Sequence, residues 1–305
     1  MINHLVTINI LSFNRKDELQ HTLLKVFEQD YKNIEVIVVD NASSDGTQEM
    51  IKNQFPEVNL IQLSKNIGIA GWNKGFEIAK GEYVLVLDDD SYPGKNSIES
   101  GLEKIIDDDK IGIIAYNILN KRTNEFEKIG FNDKKPLMFI GCGGLIRKEL
   151  IIKIGGFNEK IFIYNHEQDF SIKCYNQNYI IYLLEENYII HAQSKLRPES
   201  EKNAYKTEFR YVNYYISLSY FILENFSIKY SWIYFIKWIL NRFIIAITHN
   251  YILSFTKTTI QLILEFRKII KCQNVIKFEV QKFYGFGNHP LIDRDYFPNF
   301  RNPFK

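Results

Sequence analysis

The first ninety residues alternate apolar runs of strand length with segments of helical periodicity, and this alternation restricts the possible folds more than any other feature. Continuous apolar runs such as Val-Ile-Val-Val at residues 36–39 are typical of a strand covered on both faces. Strands separated by helices in this way predict a parallel sheet with crossover connections. The predicted strands span residues 5–11, 34–39, 58–63 and 83–87, and the predicted helices span residues 17–29, 48–53 and 69–79.

The alternation continues to Arg197-Pro198, and long helical segments follow it. In the middle of the chain we predict strands at 111–115, 138–146, 179–184 and 188–191, helices at 97–108, 148–154 and 168–177, and an irregular polar segment at 117–135. Helices at 205–224, 230–255 and 258–270 and an irregular tail at 285–305 come next. We therefore predict an α/β domain of residues 1–200 and a helical extension of residues 201–305.

Charge divides the chain at the same place. Residues 1–200 carry 23 basic and 29 acidic side chains, a net charge of −6, whereas residues 201–305 carry 15 and 7, a net charge of +8. The second segment also holds 25 of the 45 aromatic residues. A basic and aromatic segment predicts contact with an anionic surface such as a membrane.

The second long helix does not have the pattern of a membrane span, because Lys237, Arg242 and His249 interrupt it. It is consistent with a helix in the membrane interface, with packing on the first domain, or with contact between copies of the chain.

The dispersed cysteines Cys142, Cys174 and Cys272 favour a reducing compartment, and the absence of a signal-peptide pattern at the N-terminus predicts a cytoplasmic protein.

Polar residues directly follow three of the predicted strands, where open parallel sheets bind their ligands. These segments are Ser-Phe-Asn-Arg at 12–15, the segment that starts at Asp40, and Asp88-Asp89-Asp90. Helix capping explains Ser44 and Asp45 but not Asp40.

The three consecutive carboxylates at 88–90 repel one another, and Mg²⁺ or Mn²⁺ would offset that repulsion through hard oxygen ligands. A solvated acidic turn is the alternative, and residues 107–109, also three aspartates, are an example. Glu167 and Asp169 precede a predicted helix, so they are candidates either for a chemical role or for capping that helix. His191 ends the last predicted strand of the domain.

In their order along residues 5–195, seven motifs resemble those of family 2 glycosyltransferases of the GT-A fold, which has a Rossmann-like, mostly parallel sheet with flanking helices. The branch that the sequence resembles most is the bacterial rhamnosyltransferase-like and galactofuranosyltransferase-like group. The motifs are LSFNR (11–15), VVDNASSDGT (38–47), NIG (66–68) with NKG (73–75), LDDD (87–90), GGFNE (155–159), EQDF (167–170) and His191.

The resemblance implies an inverting, metal-dependent hexosyl- or pentosyltransferase that uses a nucleotide-sugar donor. Residues 1–115 would bind the donor and residues 116–200 the acceptor. Glu167 would be the general base and Asp169 a supporting acid, while Asp88, Asp90 and His191 would hold Mn²⁺ or Mg²⁺. The other implied donor-binding residues are Phe13, Asn14, Arg15, Asp40, Asn66, Gly68, Asn73, Lys74 and Asp89, and the implied acceptor side is Cys142, Gly143 and Gly144 next to Gly141.

Some positions depart from the family pattern. Lys173 and Asn178 replace the usual Arg and Gly, and His166 stands beside Glu167 where a second acid is common. No Gln-x-x-Arg-Trp motif follows, which argues against a processive polymerase. A sugar nucleotidyltransferase would have a glycine-rich loop after the first strand, which residues 11–16 lack, and a non-catalytic membrane scaffold would not need acids at all three sites.

The expected partners are the nucleotide sugar, a cell-surface polysaccharide or lipid-linked acceptor and an anionic membrane surface. Nucleic acid is not expected, and the extension is an alternative surface for a homo-oligomer. The expected location is the cytoplasm, at the inner face of the cytoplasmic membrane.

Overall fold

The computed structural model describes residues 3–127, 129, 131–132, 135–192, 207–271 and 273–285. Cys272 and residues 286–305 of the predicted tail lie outside the described residues. The strands are β1 (Val6–Ser12), β2 (Ile34–Asp40), β3 (Asn59–Gln62), β4 (Tyr83–Asp88), β5 (Ser91–Pro93), β6 (Ile111–Asn120), β7 (Glu125–Phe126), β8 (Phe131–Asn132), β9 (Lys135–Pro136), β10 (Gly144–Arg147) and β11 (Ile180–His191). The helices are α1 (Lys16–Phe27), α2 (Thr47–Gln54), α3 (Gly71–Ile78), α4 (Ser97–Asp107), α5 (Lys148–Ile154), α6 (His166–Asn176), α7 (Glu208–Asn225), α8 (Ile228–Thr248), α9 (Ile252–Lys271) and α10 (Phe278–Gly285).

The central sheet has the strand order β3-β2-β1-β4-β10-β6-β11-β5, and β7 pairs with β6. The strands β3, β2, β1 and β4 are parallel to one another, and β11 is parallel to β6. The predicted α/β class, a mostly parallel sheet with flanking helices and a helical extension, is therefore confirmed. The antiparallel members are β10, which lies between β4 and β6, β5, and β7.

Helices cover both faces of the sheet, as the apolar runs predicted. In β2, Ile37 and Val39 join a core that includes Trp72 of α3, while Val36 and Val38 join a second core with Leu23 of α1. Successive strand residues point to opposite faces, so each of these buried positions contacts one of the two cores. This packing fixes the register of the strands whose ends carry the polar motifs.

Three predictions in the middle of the chain differ from the structure in extent. The strand predicted at 138–146 forms only at Gly144–Arg147, because residues 140–143 turn back through a hydrogen bond from the Gly143 N–H to the Ile140 carbonyl (2.8 Å). Part of the segment predicted as irregular is strand, since β6 continues to Asn120 and returns through β7. The two predicted strands at 179–191 are one strand with an irregularity between Leu184 and Tyr188.

The helical extension shares a core with the sheet domain. Tyr215 and Phe221 of α7 and Trp238 of α8 are buried in the same cluster as Phe170 of α6. The helix predicted at 230–255 is in fact two helices, because Asn250 adopts a left-handed conformation (φ 60°) between α8 and α9. The third predicted helix, 258–270, lies within α9, and α10 was not predicted.

Candidate active site

Asp88, Asp90 and His191 meet at one edge of the sheet. Ser91 of β5 pairs with His191 of β11, and the Ala192 N–H donates to the Asp90 carbonyl (2.8 Å), so the register places Asp90 beside the histidine. One ligand atom from each of the three side chains lies within 4.8 Å of the others. The structure thus assembles the three residues that the sequence predicted as metal ligands.

The chemistry of this cluster fits a divalent cation. Asp90 Oδ1 and His191 Nε2 are fully buried, lie 3.3 Å apart as an ion pair, and have no well-aligned hydrogen-bond partner among the described residues. Buried polar atoms normally have such partners, so two that face each other indicate a ligand between or beside them. Carboxylate oxygen with one imidazole nitrogen is a suitable donor set for Mn²⁺ and, with more oxygen ligands, for Mg²⁺.

Arg15 supplies part of the positive charge that the carboxylates require. Its guanidinium contacts Asp89 Oδ1 (2.9 Å) and Asp90 Oδ2 (2.7 Å). Asp89 also accepts a hydrogen bond from the Phe13 N–H (3.3 Å). Burial raises the pKa of Asp89 to about 7 despite Arg15, whereas His191 and Arg15 together hold the pKa of Asp90 below its usual value despite burial. Arg15 and Asp89, predicted to contact the donor, thus also join the end of β4 to the loop after β1.

The loops after β1 and β2 are hydrogen-bonded to each other. The Asn14 N–H donates to Ser43 Oγ (2.8 Å), and Asn14 Oδ1 accepts from the Ser44 N–H (2.8 Å). Asp40 is fully buried and accepts hydrogen bonds from the Ser43 N–H (3.2 Å) and Gln48 Nε2 (2.6 Å). Phe13 is 42% exposed at the same end of the sheet. The arrangement is a rigid rim with an exposed aromatic ring.

The predicted donor-side segment 66–75 packs against the loop before α6. Asn66 Oδ1 accepts from the Gly68 N–H (2.8 Å), and the Ile69 N–H donates to the Phe162 carbonyl (2.9 Å). Asn73 is buried and its amide binds both the N–H and the carbonyl of Phe157 (2.8 and 2.9 Å). Lys74, in contrast, lies on the exposed side of α3, where it pairs with Glu77 (2.6 Å).

We expect Gly68→Ala to destabilise the protein more than Gly155→Ala. Both glycines are left-handed (φ 67° and 85°), which costs a residue with a Cβ about 1–2 kcal/mol. A Cβ at Gly68 would also lie 2.1 Å from the Phe162 carbonyl oxygen, whereas one at Gly155 would meet nothing within 4 Å. Thermal unfolding of the two variants should therefore give a Tm several degrees lower for Gly68→Ala, and equal Tm values would contradict this packing.

Glu167 lies in the first turn of α6, after two left-handed residues, Tyr164 (φ 69°) and Asn165 (φ 55°). Its Oε1 accepts a hydrogen bond from the Gly141 N–H (3.3 Å), and its Oε2 lies 3.2 Å from His166 Nδ1. A Cβ at Gly141 would lie 2.9 Å from His166 Nε2 and 3.1 Å from Glu167 Oε1, so only glycine leaves room there.

Asp169 joins α6 to the extension. It is 1% exposed, and its two carboxylate oxygens bind Lys173 Nζ (2.6 Å) and Asn225 Nδ2 of α7 (2.8 Å). Ser217 of α7 donates to the Ile163 carbonyl (2.7 Å) in the loop before Glu167. The helical extension therefore supports the segment that carries the predicted base, and a supporting role for Asp169 fits these contacts.

Cys142 is a buried residue of the predicted acceptor side. It is 2% exposed, and burial raises the pKa of its thiol well above the ordinary value, helped by the nearby charges of Asp88, Glu127, Asp90 and Glu167. The charges of two predicted metal ligands, Asp88 and Asp90, and of the predicted base, Glu167, thus act on the same buried side chain. Gly143 and Gly144, predicted for the acceptor side with Cys142, are buried beneath it against Ile118 and Phe139.

Sequence reasoning missed Glu127, whose Oε1 accepts a hydrogen bond from His191 Nδ1 (2.9 Å). Glu127 follows β7, in a segment predicted to be irregular. A hairpin pattern at 111–127 was the one signal that would have placed it near the end of the sheet.

Comparison with known proteins agrees with this arrangement. The sequence model of glycosyl transferase family 2 matches residues 7–155. The Escherichia coli enzyme WfaP, a UDP-Glc:α-D-GlcNAc-diphosphoundecaprenol β-1,3-glucosyltransferase, is 40% identical over 91 residues, which are 29% of this chain and 36% of WfaP. A GalNAc(5)-diNAcBac-PP-undecaprenol β-1,3-glucosyltransferase of Campylobacter jejuni is 23% identical over 223 residues, 68% of this chain and 72% of that enzyme.

The first three curated relatives are matched over 36% to 72% of their own lengths, and two of the three over less than two thirds. Among solved structures, the mannosyltransferase PcManGT of Pyrobaculum calidifontis, in complex with GDP-Man and Mn²⁺, superposes with a TM-score of 0.57 at 17% identity. The superposition covers 88% of this chain and 83% of that one. At this identity the likeness defines the fold, which is GT-A.

Proposed function

Because residues 7–155 are a family 2 glycosyltransferase domain on a GT-A sheet, we propose that this chain transfers a sugar from a nucleoside diphosphate sugar to an acceptor hydroxyl with inversion. The observation that carries the proposal is the cluster of Asp88, Asp90 and His191, whose ligand atoms lie within 4.8 Å of one another at the end of the sheet. A cation site and a carboxylate base such as Glu167 are the two parts that such a displacement requires.

The donor nucleotide would bind at the carboxyl ends of β1 and β2. Phe13 offers a half-exposed ring for the base, and the hydrogen-bonded loops at Asn14 and Asp40 give that end of the site a fixed shape. Asn66, Gly68 and Asn73 would act by holding the neighbouring loop in place, since Asn66 binds the Gly68 N–H, Asn73 binds Phe157, and the Gly68 backbone lies against Phe162. Lys74 remains a proposed donor contact, which it would make from the exposed side of α3.

Asp88, Asp90 and His191 would hold Mn²⁺ or Mg²⁺ at the donor diphosphate. The bound cation supplies Lewis-acid stabilisation of the negative charge on the departing nucleoside diphosphate. Arg15 leaves Asp90 charged and oriented, because its guanidinium occupies Oδ2 while Oδ1 faces His191. Asp89, which Arg15 and the Phe13 N–H hold, would position these groups.

Glu167 would take the proton of the acceptor hydroxyl as the hydroxyl oxygen attacks the anomeric carbon. The Gly141 N–H fixes one carboxylate oxygen and His166 borders the other, so the carboxylate has a defined direction. Attack from the side opposite the nucleoside diphosphate inverts the anomeric centre, and no covalent intermediate is needed.

The proposal is tested by incubating the full chain with a panel of nucleotide sugars, Mn²⁺ or Mg²⁺, and glycan or undecaprenol-linked acceptors. Transfer that depends on the cation supports it. Formation of a nucleotide sugar from a sugar phosphate would indicate a nucleotidyltransferase instead. Absence of any nucleoside diphosphate binding in the presence of Mn²⁺ would indicate a non-catalytic scaffold.

For the acceptor we propose a lipid-linked or cell-surface glycan at the inner face of the cytoplasmic membrane. The names of the Escherichia coli and Campylobacter relatives specify undecaprenol-linked acceptors, which supports this choice. Within the described residues, one helical segment, Ser231–Thr248 of α8, is long and apolar enough to cross a membrane, and 33% of it is buried in the fold.

The outer side of α8 and α9 is the surface that would contact the membrane. Exposed on α9 are the basic residues Lys257, Arg267, Lys268 and Lys271, and Glu265, the one acid in the two helices, contacts Tyr220. The inner side of α8 is held by the core through Trp238 and Arg242, so an orientation in the interface plane fits better than a span. The exposed apolar residues are Ile228, Trp232, Ile233, Ile236, Leu240, Phe243, Ile244 and Ile247 of α8 and Ile252, Leu253, Ile260, Ile263 and Leu264 of α9.

We expect the protein to sediment with vesicles containing phosphatidylglycerol at low salt, and Ile236→Glu/Ile244→Glu to weaken that binding at least tenfold. Two exposed isoleucines that enter the lipid contribute about 1.5–3 kcal/mol each. Ile152→Glu, on the exposed side of α5, is the control and should bind as the unmodified chain does. Unchanged sedimentation of the double variant would exclude this surface as the membrane contact. If the unmodified chain forms a dimer and the double variant does not, the surface is instead an interface between two copies of the chain.

A further inference from the structure

We propose that Glu127 is a positioning residue that holds His191 in the orientation and tautomer needed to bind the cation, an inference that rests on the proposed metal-dependent function. The observation is a line of three side chains from separate segments. Glu127 Oε1 lies 2.9 Å from His191 Nδ1, and His191 Nε2 lies 3.3 Å from Asp90 Oδ1. The Glu127 carboxylate therefore contacts the His191 imidazole, which in turn contacts the Asp90 carboxylate.

The fold brings Glu127 to His191 from the far side of β6. Asn120 of β6 pairs with His191 of β11 on one side and with Glu125 of β7 on the other. The Glu127 N–H donates to the Ile118 carbonyl (2.8 Å), and the Phe126 ring packs on Tyr188 (6.0 Å between ring centres). These contacts fix the backbone of Glu127, so its reach across β6 to the imidazole is determined by the hairpin.

The hydrogen bond decides which ring nitrogen is available. With the proton on Nδ1 and donated to Glu127, Nε2 keeps its lone pair, and Nε2 is the buried atom that faces Asp90 Oδ1 across 3.3 Å. Outer carboxylates that bind the second nitrogen of a metal-bound histidine commonly fix the ring and its tautomer, and their loss lowers metal affinity about 10–100-fold. Glu127 has the position and the chemistry of such a residue.

The test measures Mn²⁺ affinity of the full chain by electron paramagnetic resonance of the free ion, in the presence of the nucleoside diphosphate that binds best. We expect Glu127→Ala to weaken Mn²⁺ binding about 10–100-fold and Glu127→Gln, which keeps an acceptor for the Nδ1 proton, to restore part of that loss. Glu125→Gln, an exposed acid two residues away in the same hairpin, is the matched control and should bind Mn²⁺ normally.

NMR of the Mg²⁺-loaded protein gives a second readout, which a purely structural role would not change. His191 should be the Nδ1–H tautomer in the unmodified chain and should lose that preference in Glu127→Ala. Normal Mn²⁺ affinity of Glu127→Ala overturns the inference and leaves the proposed function intact. A loss as complete as that of Asp90→Asn also overturns it, because Glu127 would then be a ligand itself. Absence of Mn²⁺ binding by the unmodified chain would overturn the metal-dependent function together with this inference.

Discussion

Glu167→Gln is expected to lower kcat for sugar transfer about 10²–10⁴-fold while nucleotide-sugar binding stays unchanged. The substituted amide keeps the shape of the side chain and can still accept the Gly141 N–H hydrogen bond, but it cannot take the acceptor proton. Because Glu167 lies on α6 and the predicted donor contacts lie after β1, β2, β3 and β4 and in α3, the loss should appear in kcat and not in donor affinity. Initial rates with a radiolabelled nucleotide sugar give kcat, and calorimetry gives the donor Kd, so the effects on catalysis and on donor binding are measured separately.

Glu159→Gln is the matched control, since Glu159 is an exposed acid eight positions earlier in the same connection. It should transfer sugar at the normal rate. Transfer by Glu167→Gln at a rate close to that of Glu159→Gln would remove Glu167 as the base. Asp169→Asn would then be the next variant to measure, together with its Tm, because Asp169 binds both Lys173 and Asn225.

The fold was predictable where burial alone decides the structure. The first four strands and the helices between them agree with the sequence prediction to within a few residues, because both faces of the central strands β1, β2 and β4 are buried and most of their positions are apolar. The prediction was less accurate at 138–147 and 230–271. In the first segment apolar residues such as Phe139 fill the core from a turn, and in the second the left-handed Asn250 breaks a helix whose apolar pattern continues on both sides.

The candidate site was predictable as a set of residues but not as a network. Asp88, Asp90 and His191 follow from motifs at the ends of β4 and β11, which the family resemblance joined as metal ligands although β10 and β6 separate the two strands. The contacts of Arg15 with Asp89 and Asp90 join residues 74 and 75 positions apart, and the contact of Glu127 with His191 joins residues 64 positions apart. The hydrophobic pattern specifies which strands are buried, but only their lateral order and register determine which charged side chains meet.

The two aspartate triplets of the chain show why position in the fold decides the role of an acid. Residues 88–90 end a central strand, and Asp90 is 1% exposed between Arg15 and His191. Residues 107–109 end α4, and the side chain of Asp109 is 99% exposed. Exposed carboxylates are well hydrated and gain little from a cation, whereas buried carboxylates beside an imidazole are the arrangement in which a bound ion is favourable.

We therefore expect Asp90→Asn to abolish cation-dependent transfer, a loss of about 10²–10⁴ in kcat/KM, and Asp109→Asn to leave it unchanged, since the metal supplies several kcal/mol of charge stabilisation. Chelation should reduce the unmodified chain to the same level, and Mn²⁺ should restore it. Because Asp90 also pairs with Arg15, the Tm of each variant must be measured with and without Mn²⁺ and nucleoside diphosphate. Ligand binding raises the free energy of unfolding by RT ln(1 + [L]/Kd) and so raises Tm, and Mn²⁺ should therefore stabilise the unmodified and Asp109→Asn chains but not Asp90→Asn. Equal stabilisation of all three by Mn²⁺ would exclude Asp90 as a ligand, and full activity of the chelated enzyme would show that the reaction does not need a metal.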